Sequence, residues 1–272
     1  FKRFEGDIKE GDIYILNDPY HGNNHPPDIT IAKPVFFEGE VRFWSVCKGH
    51  HADVGGGGVA GYNPAAQSIW EECIRIPPAK LYVAGELNES LLDTILLNVH
   101  LPFLVEGDLR CEVGACTKGE RSLIALLQKY GIDVIDNAIE QIFDASEKHM
   151  RSVIHDIPNG SFTAERLIDH DGIEKEKMIK VNVTLEIEDE RITFDFTGSD
   201  PQAKGYINST MPNTASSAFL ALFLSVGSEV RFNQGALRAL EVIAPLGSVV
   251  NAAEPAPVTC CTISSAQAII EA

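Results

Sequence analysis

The sequence predicts an α+β fold in which antiparallel strands accompany a long helical hairpin. Three observations carry this. Short runs rich in β-branched and aromatic residues, or alternating apolar with polar, lie toward both ends of the chain. Two long segments between them space their apolar residues at helical period. The helices are grouped apart from the strands instead of alternating with them, which argues against a doubly wound sheet. Phe1 is not an initiator methionine and the final AQAIIEA reads as mid-helix, so the expectation is a middle fragment of a larger subunit.

Residues 12–17 (DIYILN), 29–37 (ITIAKPVFF) and 41–47 (VRFWSVC) read as strands, with Glu38-Gly39 turning the last two into a hairpin. The run 55–64 (GGGGVAGYNP) has five glycines and reads as a loop where backbones approach closely. A short helix is expected within 65–76. Asn88 is placed to cap a helix over 89–99, with Leu91, Leu92, Ile95 and Leu96 on one face. Helices over about 107–130 and 132–156 meet at Gly131, and one short loop between two amphipathic helices predicts an antiparallel hairpin. After Gly160 the period changes to two, and FTAERLID, KMIKVNVTLEIED and RITFDFTG predict a three-stranded meander. The apolar run 214–226 predicts a central helix. Three regions follow: 1–86 with strands and the glycine-rich loop, 87–160 with the helical hairpin, and 161–272 with the meander and apolar helix.

The 272 residues carry a formal net charge of -17, which disfavours nucleic acid and anionic membrane surfaces as partners. Six cysteines without C-x-x-C spacing fit a reduced, cytoplasmic chain, and no apolar run reaches membrane-spanning length.

Two clusters carry candidate chemistry. Residues 17–30 (NDPYHGNNHPPDIT) hold two histidines, two aspartates, three asparagines and three prolines, and residues 48–58 read KGHHADVGGGG. His25-Pro-Pro-Asp28 and His50-His51-Ala-Asp53 repeat one H-x-x-D spacing at strand ends. Two imidazoles with one or two carboxylates suit a borderline divalent metal with an open coordination position, and the prolines stiffen the ligand loop. On extended backbone His50 and His51 point to opposite sides, so one faces the site; the other is a substrate contact, a supporting donor or a packed neighbour. The competing reading is turn chemistry, for which Asn, Asp and His are equally suited. Asp18 reads either as a hydrogen-bond support for a ligand histidine or as a turn cap. Glu71 and Glu72 read as a substrate carboxylate or a solvated helix face. The DFTGSDPQ loop reads as an anion contact or a structural bend, and His100, His149, His155 and His170 as structural. The glycine-rich loop lacks the lysine and the strand–helix setting of a phosphate-binding loop.

With these residues in place, the chain resembles the hydantoinase B/5-oxoprolinase family. The likeness rests on NDPYHGNNHPPDI and GHHADVGG. It continues through WEECIRIPPAKLY, GDLRCEVGAC, FDFTGSDPQAKGYIN and NQGALRALEVIAPLGSVVN, across essentially the whole chain. His21-Gly22-Asn23-Asn24 departs from the usual Gly-Gly-Thr before the H-x-x-D element. The resemblance implies the metal-binding catalytic subunit of an ATP-dependent cyclic amidohydrolase that opens hydantoins, 5-oxoproline or lactams. A hydantoinase A-like partner would bind the ATP, making a hetero-oligomer. The family's alternative branch carboxylates acetone or acetophenone. Carried over residue by residue, the resemblance assigns a divalent metal (Zn, Mn or Fe) to His25, Asp28 and His50, with a further carboxylate expected from outside this chain. It leaves His51 and Asp53 as catalytic candidates and Asn24 and Gly56 as substrate contacts. Apart from the family, a non-haem iron oxygenase and a metal-stabilised structural protein are the other readings; the H-x-x-D spacing counts against the oxygenase, whose usual spacing is H-x-D.

Overall fold

The computed structural model describes residues 2–58, 61–226 and 230–272, so Val59 and Ala60 of the expected close-approach loop lie outside the described residues. The chain divides into two compact units, Phe1–Ile135 and Asp136–Ala272.

The first unit is built on a five-stranded antiparallel sheet. Its strands are β1 (Ile13–Leu16), β2 (Asp28–Phe37), β3 (Glu40–His50), β4 (Ala79–Val83) and β5 (Glu86–Leu87), in the spatial order β3-β2-β1-β4-β5. Ile13, Ile15, Ile29, Ile31, Val35 and Leu81 are buried in it. The turn at Glu38-Gly39 forms as expected, with both residues at positive φ, and β2 pairs with β3 from Phe37↔Glu40 to Asp28↔His50, with a one-residue register shift at Val35/Phe36 that leaves Arg42 unpaired. Strand β3 therefore runs three residues beyond the predicted end and takes His50 into the ladder.

Helix α1 (Glu89–Leu97) starts where Asn88 accepts a hydrogen bond from the Leu91 N–H, the predicted cap. Helix α2 (Pro102–Tyr130) begins with a proline at its first position and packs across β2 and β3. Cys116 Sγ lies 3.4 Å from the Ile31 carbonyl, and Lys33 meets Glu120 at 2.6 Å with both side chains largely buried. The buried side of α2 is thus a helix-on-sheet contact.

Helix α3 (Ile132–His155) follows Gly131, and its Met150 and Ile154 enter the core of the second unit. That unit holds β6 (Gly160–Ile168), β7 (Ile179–Glu188) and β8 (Arg191–Asp195), the predicted antiparallel meander. The apolar helix α4 (Met211–Val226) and the one-turn α5 (Gln234–Leu237) lead to β9 (Leu240–Ile243), which joins β8 in parallel. Helix α6 (Ser265–Glu271) packs on α4. Val181, Ile192, Phe196, Ala218, Leu222 and Ile269 form the core between sheet and helices. The architecture is α+β. No helix among the described residues is long and apolar enough to cross a membrane.

Candidate metal centre

Asp28 opens β2 and His50 closes β3, and the register sets them directly opposite. Directly paired residues project from the same face of a sheet, so the two side chains meet. His50 Nδ1 lies 2.9 Å from Asp28 Oδ1. The Pro26-Pro27 corner brings His25 to the same oxygen, with Nε2 at 2.8 Å. The two imidazole rings stand 5.1 Å apart, centroid to centroid, and one donor atom from each of His25, Asp28 and His50 lies within 4.8 Å of the others. Two imidazoles and a carboxylate at that spacing fit a divalent cation of the zinc, manganese or iron type. His25 is buried, whereas the His50 side chain is 51% exposed, so the cluster opens to solvent on the β3 side.

Burial alone would raise the Asp28 carboxyl. Its contacts with His25, and then its hydrogen bonds from Asn24 and His50, outweigh burial and hold it down at about 2. Asn24 Nδ2 donates to Asp28 Oδ2 at 2.7 Å and Asn24 Oδ1 accepts from Lys48 Nζ at 2.9 Å. Asn24, predicted to touch substrate, is thus placed behind the carboxylate that both histidines share.

The asparagines explain why residues 17–30 are so polar. A loop that leaves the sheet must satisfy its backbone groups by other means. Asn17 is fully buried; its amide donates to the Pro26 and Ile74 carbonyls at 3.1 and 3.0 Å and accepts from the Ile76 N–H at 2.8 Å. Asn23 donates to the carbonyls of Asn17, His25 and Asp28. Asp18 caps the short turn Pro19–His21 through the Tyr20 N–H and receives both Nε and Nη2 of Arg75, so it serves the loop and not a ligand histidine. Turn chemistry and ligand presentation occupy one segment and are divided between its residues.

His51 points the other way, as alternation requires. It is 1% exposed on the α2 side of the sheet, with Nε2 3.3 Å from Glu112 Oε2, while its backbone N–H donates to the Pro27 carbonyl at 2.8 Å. Glu112 is also buried, and His51 Nδ1 and Glu112 Oε1 have no hydrogen-bond partner among the described residues. Gly49 makes room for this pair: a Cβ there would lie 2.2 Å from Glu112 Oε1. Sequence reasoning passed over Glu112. The one available signal was a carboxylate on the predicted apolar face of α2.

Asp53 is fully buried away from the cluster. Its oxygens accept the N–H groups of Gly55, His100 and Leu101 and meet His100 Nδ1 at 3.1 Å. His100 and Leu101 lie at the start of α2, where a carboxylate is favoured by the helix dipole. Asp53 thereby ties the loop after β3 to the helix that carries Glu112. Gly56 has φ +83° and packs on the backbone of Glu72, 2.4 Å from where a Cβ would stand, so its lack of a side chain is required by the chain's own crossing. Glu71 accepts from Ser68 Oγ at 2.8 Å, a local turn contact. The structure therefore brings together His25, Asp28, His50 and Asn24, and separates His51, Asp53 and Gly56 from them.

The model of the family described as hydantoinase B/oxoprolinase matches residues 1–272. The chain belongs to this family. The beta subunit of the caprolactamase of Pseudomonas jessenii is 36% identical over 271 residues, covering 99% of this chain and 46% of that protein. The B component of a putative D-/L-hydantoinase from a Pseudomonas species is 31% identical over 262 residues, covering 92% of this chain and 44% of the relative. The crystal structure of the ATP-dependent caprolactamase from Pseudomonas jessenii superposes with a TM-score of 0.92 at 36% identity, over 99% of this chain and 46% of that one. The chain spans just under half the length of these relatives.

Proposed function

We propose that this chain forms the metal-binding part of an ATP-dependent cyclic amidohydrolase that opens hydantoins, 5-oxoproline or lactams. Its ATP would be bound by a hydantoinase A-like partner. The observation that carries the reading is the convergence of His25 Nε2 and His50 Nδ1 on one oxygen of Asp28. The family relationship supports the reaction class. The names of the relatives, the beta subunit of a caprolactamase and the B component of a hydantoinase, support a multi-subunit enzyme acting on cyclic amides.

In this reading His25, Asp28 and His50 hold a divalent cation, which supplies Lewis acidity to a carbonyl or acidifies a bound water. The residues do the rest. Asp28 stays ionised at neutral pH because its neighbours stabilise the anion, and Asn24 fixes the carboxylate by holding Oδ2 while Oδ1 faces the imidazoles. The prolines and the Asn17 and Asn23 amides keep His25 in place without help from the ladder. The exposed side of His50 is the direction from which a small molecule reaches the cluster. The sequence carries no phosphate-binding loop of the lysine-containing type, so nucleotide activation is assigned to the partner.

The test is reconstitution of the complete protein with its ATP-binding partner, followed by ATP hydrolysis and ring opening on hydantoins, 5-oxoproline and lactams. ADP formation coupled to ring opening is expected, lost on treatment with chelator and restored by divalent metal. Turnover that survives full metal removal would overturn the reading, and bicarbonate-dependent ADP formation with ketones would move the protein to the carboxylase branch.

A further inference from the structure

Beside the metal cluster the sheet carries a cation that no carboxylate among the described residues contacts directly. The pairing Asp28↔His50 is followed two residues along by Thr30↔Lys48, so all four side chains project from one face of the β2–β3 pair. The opposite face, with Ile29, Ile31, Cys47 and Gly49, lies toward α2. Lys48 thus stands one step along the sheet from the cluster, about 7 Å at the usual rise per two residues. Among the described residues its ammonium has one hydrogen-bonding partner, the side-chain oxygen of Asn24 at 2.9 Å. Lys48 is exposed and an ammonium has three donors, so the other two face solvent and are open to a ligand.

This is unexpected for the composition. The chain has 39 acidic residues against 22 lysines and arginines, and the neighbouring Lys33 and Lys80 both hold carboxylates. Lys48 is instead fastened through the neutral Asn24, whose other end holds Asp28. That arrangement ties the ammonium to the cluster while leaving its charge uncompensated by a direct contact. Thr30 adds a hydroxyl on the same face, half-buried.

We propose that Lys48 and Thr30, with Asn24 as their link to Asp28, form an anion subsite contiguous with the His25–Asp28–His50 cluster. Its ligand is the acidic group, carboxylate or phosphoryl, of the molecule whose carbonyl end meets the cluster. This rests on the amidohydrolase reading for what occupies the cluster, but anion binding is measurable without turnover. A hydroxyl and an ammonium on one face present the donors that an anionic oxygen requires, and a charged hydrogen bond adds both affinity and register. The class of ligand follows: a ring amide that carries a carboxylate, or an intermediate that has received a phosphoryl group.

The experiment is calorimetric titration of the metal-loaded complete protein, wild type, Lys48→Met and Lys48→Arg. The probes are inorganic phosphate, 5-oxoproline and its uncharged analogue 2-pyrrolidinone. Metal content is measured on the same samples. Lys48→Met is expected to weaken anion binding about tenfold or more, leave 2-pyrrolidinone and metal content unchanged, and be largely repaired in Lys48→Arg. A loss confined to 5-oxoproline assigns the subsite to a substrate carboxylate, and a loss confined to phosphate assigns it to a phosphoryl group. Equal anion affinity in wild type and Lys48→Met would overturn the proposal. So would an equal loss for 2-pyrrolidinone, or a loss of metal, since Lys48 would then serve the cluster itself. Absent ring opening with intact anion binding would count against the amidohydrolase reading and not against the subsite.

Discussion

Asp28 and His50 face each other across the first and last residues of the β2–β3 ladder, with 2.9 Å between carboxylate and imidazole. A hairpin thus brings together residues 22 positions apart with the accuracy of a register, and one residue of slip would exchange His50 for His51. The two histidines should therefore respond differently to removal. His50→Ala is expected to lose metal and, compared with the metal-free wild type, to cost under about 1 kcal/mol of stability, because the His50 side chain is half-exposed. His51→Ala is expected to retain metal more fully but to cost about 3 kcal/mol or more, since it strands the buried Glu112. Denaturant melts with metal analysis on both variants separate the two roles; the reverse pattern would mean that His51 is the ligand.

The asparagine braces predict that metal affinity depends on residues that touch no metal. Asn17→Ala removes three hydrogen bonds to buried backbone groups around the His25 loop. It is expected to lower stability by about 2–3 kcal/mol and to weaken metal binding at temperatures where the protein is still folded. Unchanged metal affinity in a folded Asn17→Ala protein would show that the loop holds its shape without the brace.

Much of this arrangement was legible in the sequence. The turn at Glu38-Gly39, the cap at Asn88, the meander and the opposed directions of His50 and His51 all follow from local rules: turn residues, period two and helix capping. The pairing of Asp28 with His50 does not, because a bulge between Val35 and Phe36 moves the register by one residue from the one the turn sets. The partners of long side chains were not legible. Nothing local pairs His51 with Glu112, 61 positions away, or ties Asp53 to His100 and Leu101. Those contacts depend on where α2 lies on the sheet. For the same reason α2 and α3 were readable as long helices, but the surfaces that receive their buried residues were not. Strand β9 was missed because four residues joining in parallel leave almost no periodic signal.

The two close-packed glycines should differ in cost. Gly49→Ala pushes against Glu112 Oε1, a side-chain tip that can shift at the expense of its contact with His51. Gly56→Ala meets the backbone of Glu72 and requires a positive φ as well. The expected losses are about 1 kcal/mol for Gly49→Ala and at least about 2 kcal/mol for Gly56→Ala. Thermal melts of the two variants give the comparison, and equal losses would contradict the packing described here.

Acid should loosen both units through buried carboxylates. Burial alone would raise Asp53, Asp12 and Asp171, yet each is held below the ordinary 3.8. The causes are His100 and backbone N–H groups for Asp53, Ala84 N–H and Lys80 for Asp12, and the amides of Glu174, Ile173 and Gly205 for Asp171. A carboxyl lowered on folding contributes its full stability above its unfolded value and loses it as pH falls through the folded one. Stability from these groups is therefore expected to be constant near neutrality and to decline below about pH 4. Asp53→Asn should flatten that decline while lowering stability at pH 7. Acid titrations followed by circular dichroism check both statements, and an acid limb unchanged in Asp53→Asn would mean that Asp53 contributes nothing to it.

Whether His25, Asp28 and His50 together hold one divalent cation is tested most directly by elemental analysis and metal titration of the complete protein beside a His25→Ala, His50→Ala double variant. About one tightly held ion per chain is expected in the wild type, with loss of that ion in a variant that remains folded. A double variant that keeps its full metal content would contradict the assignment.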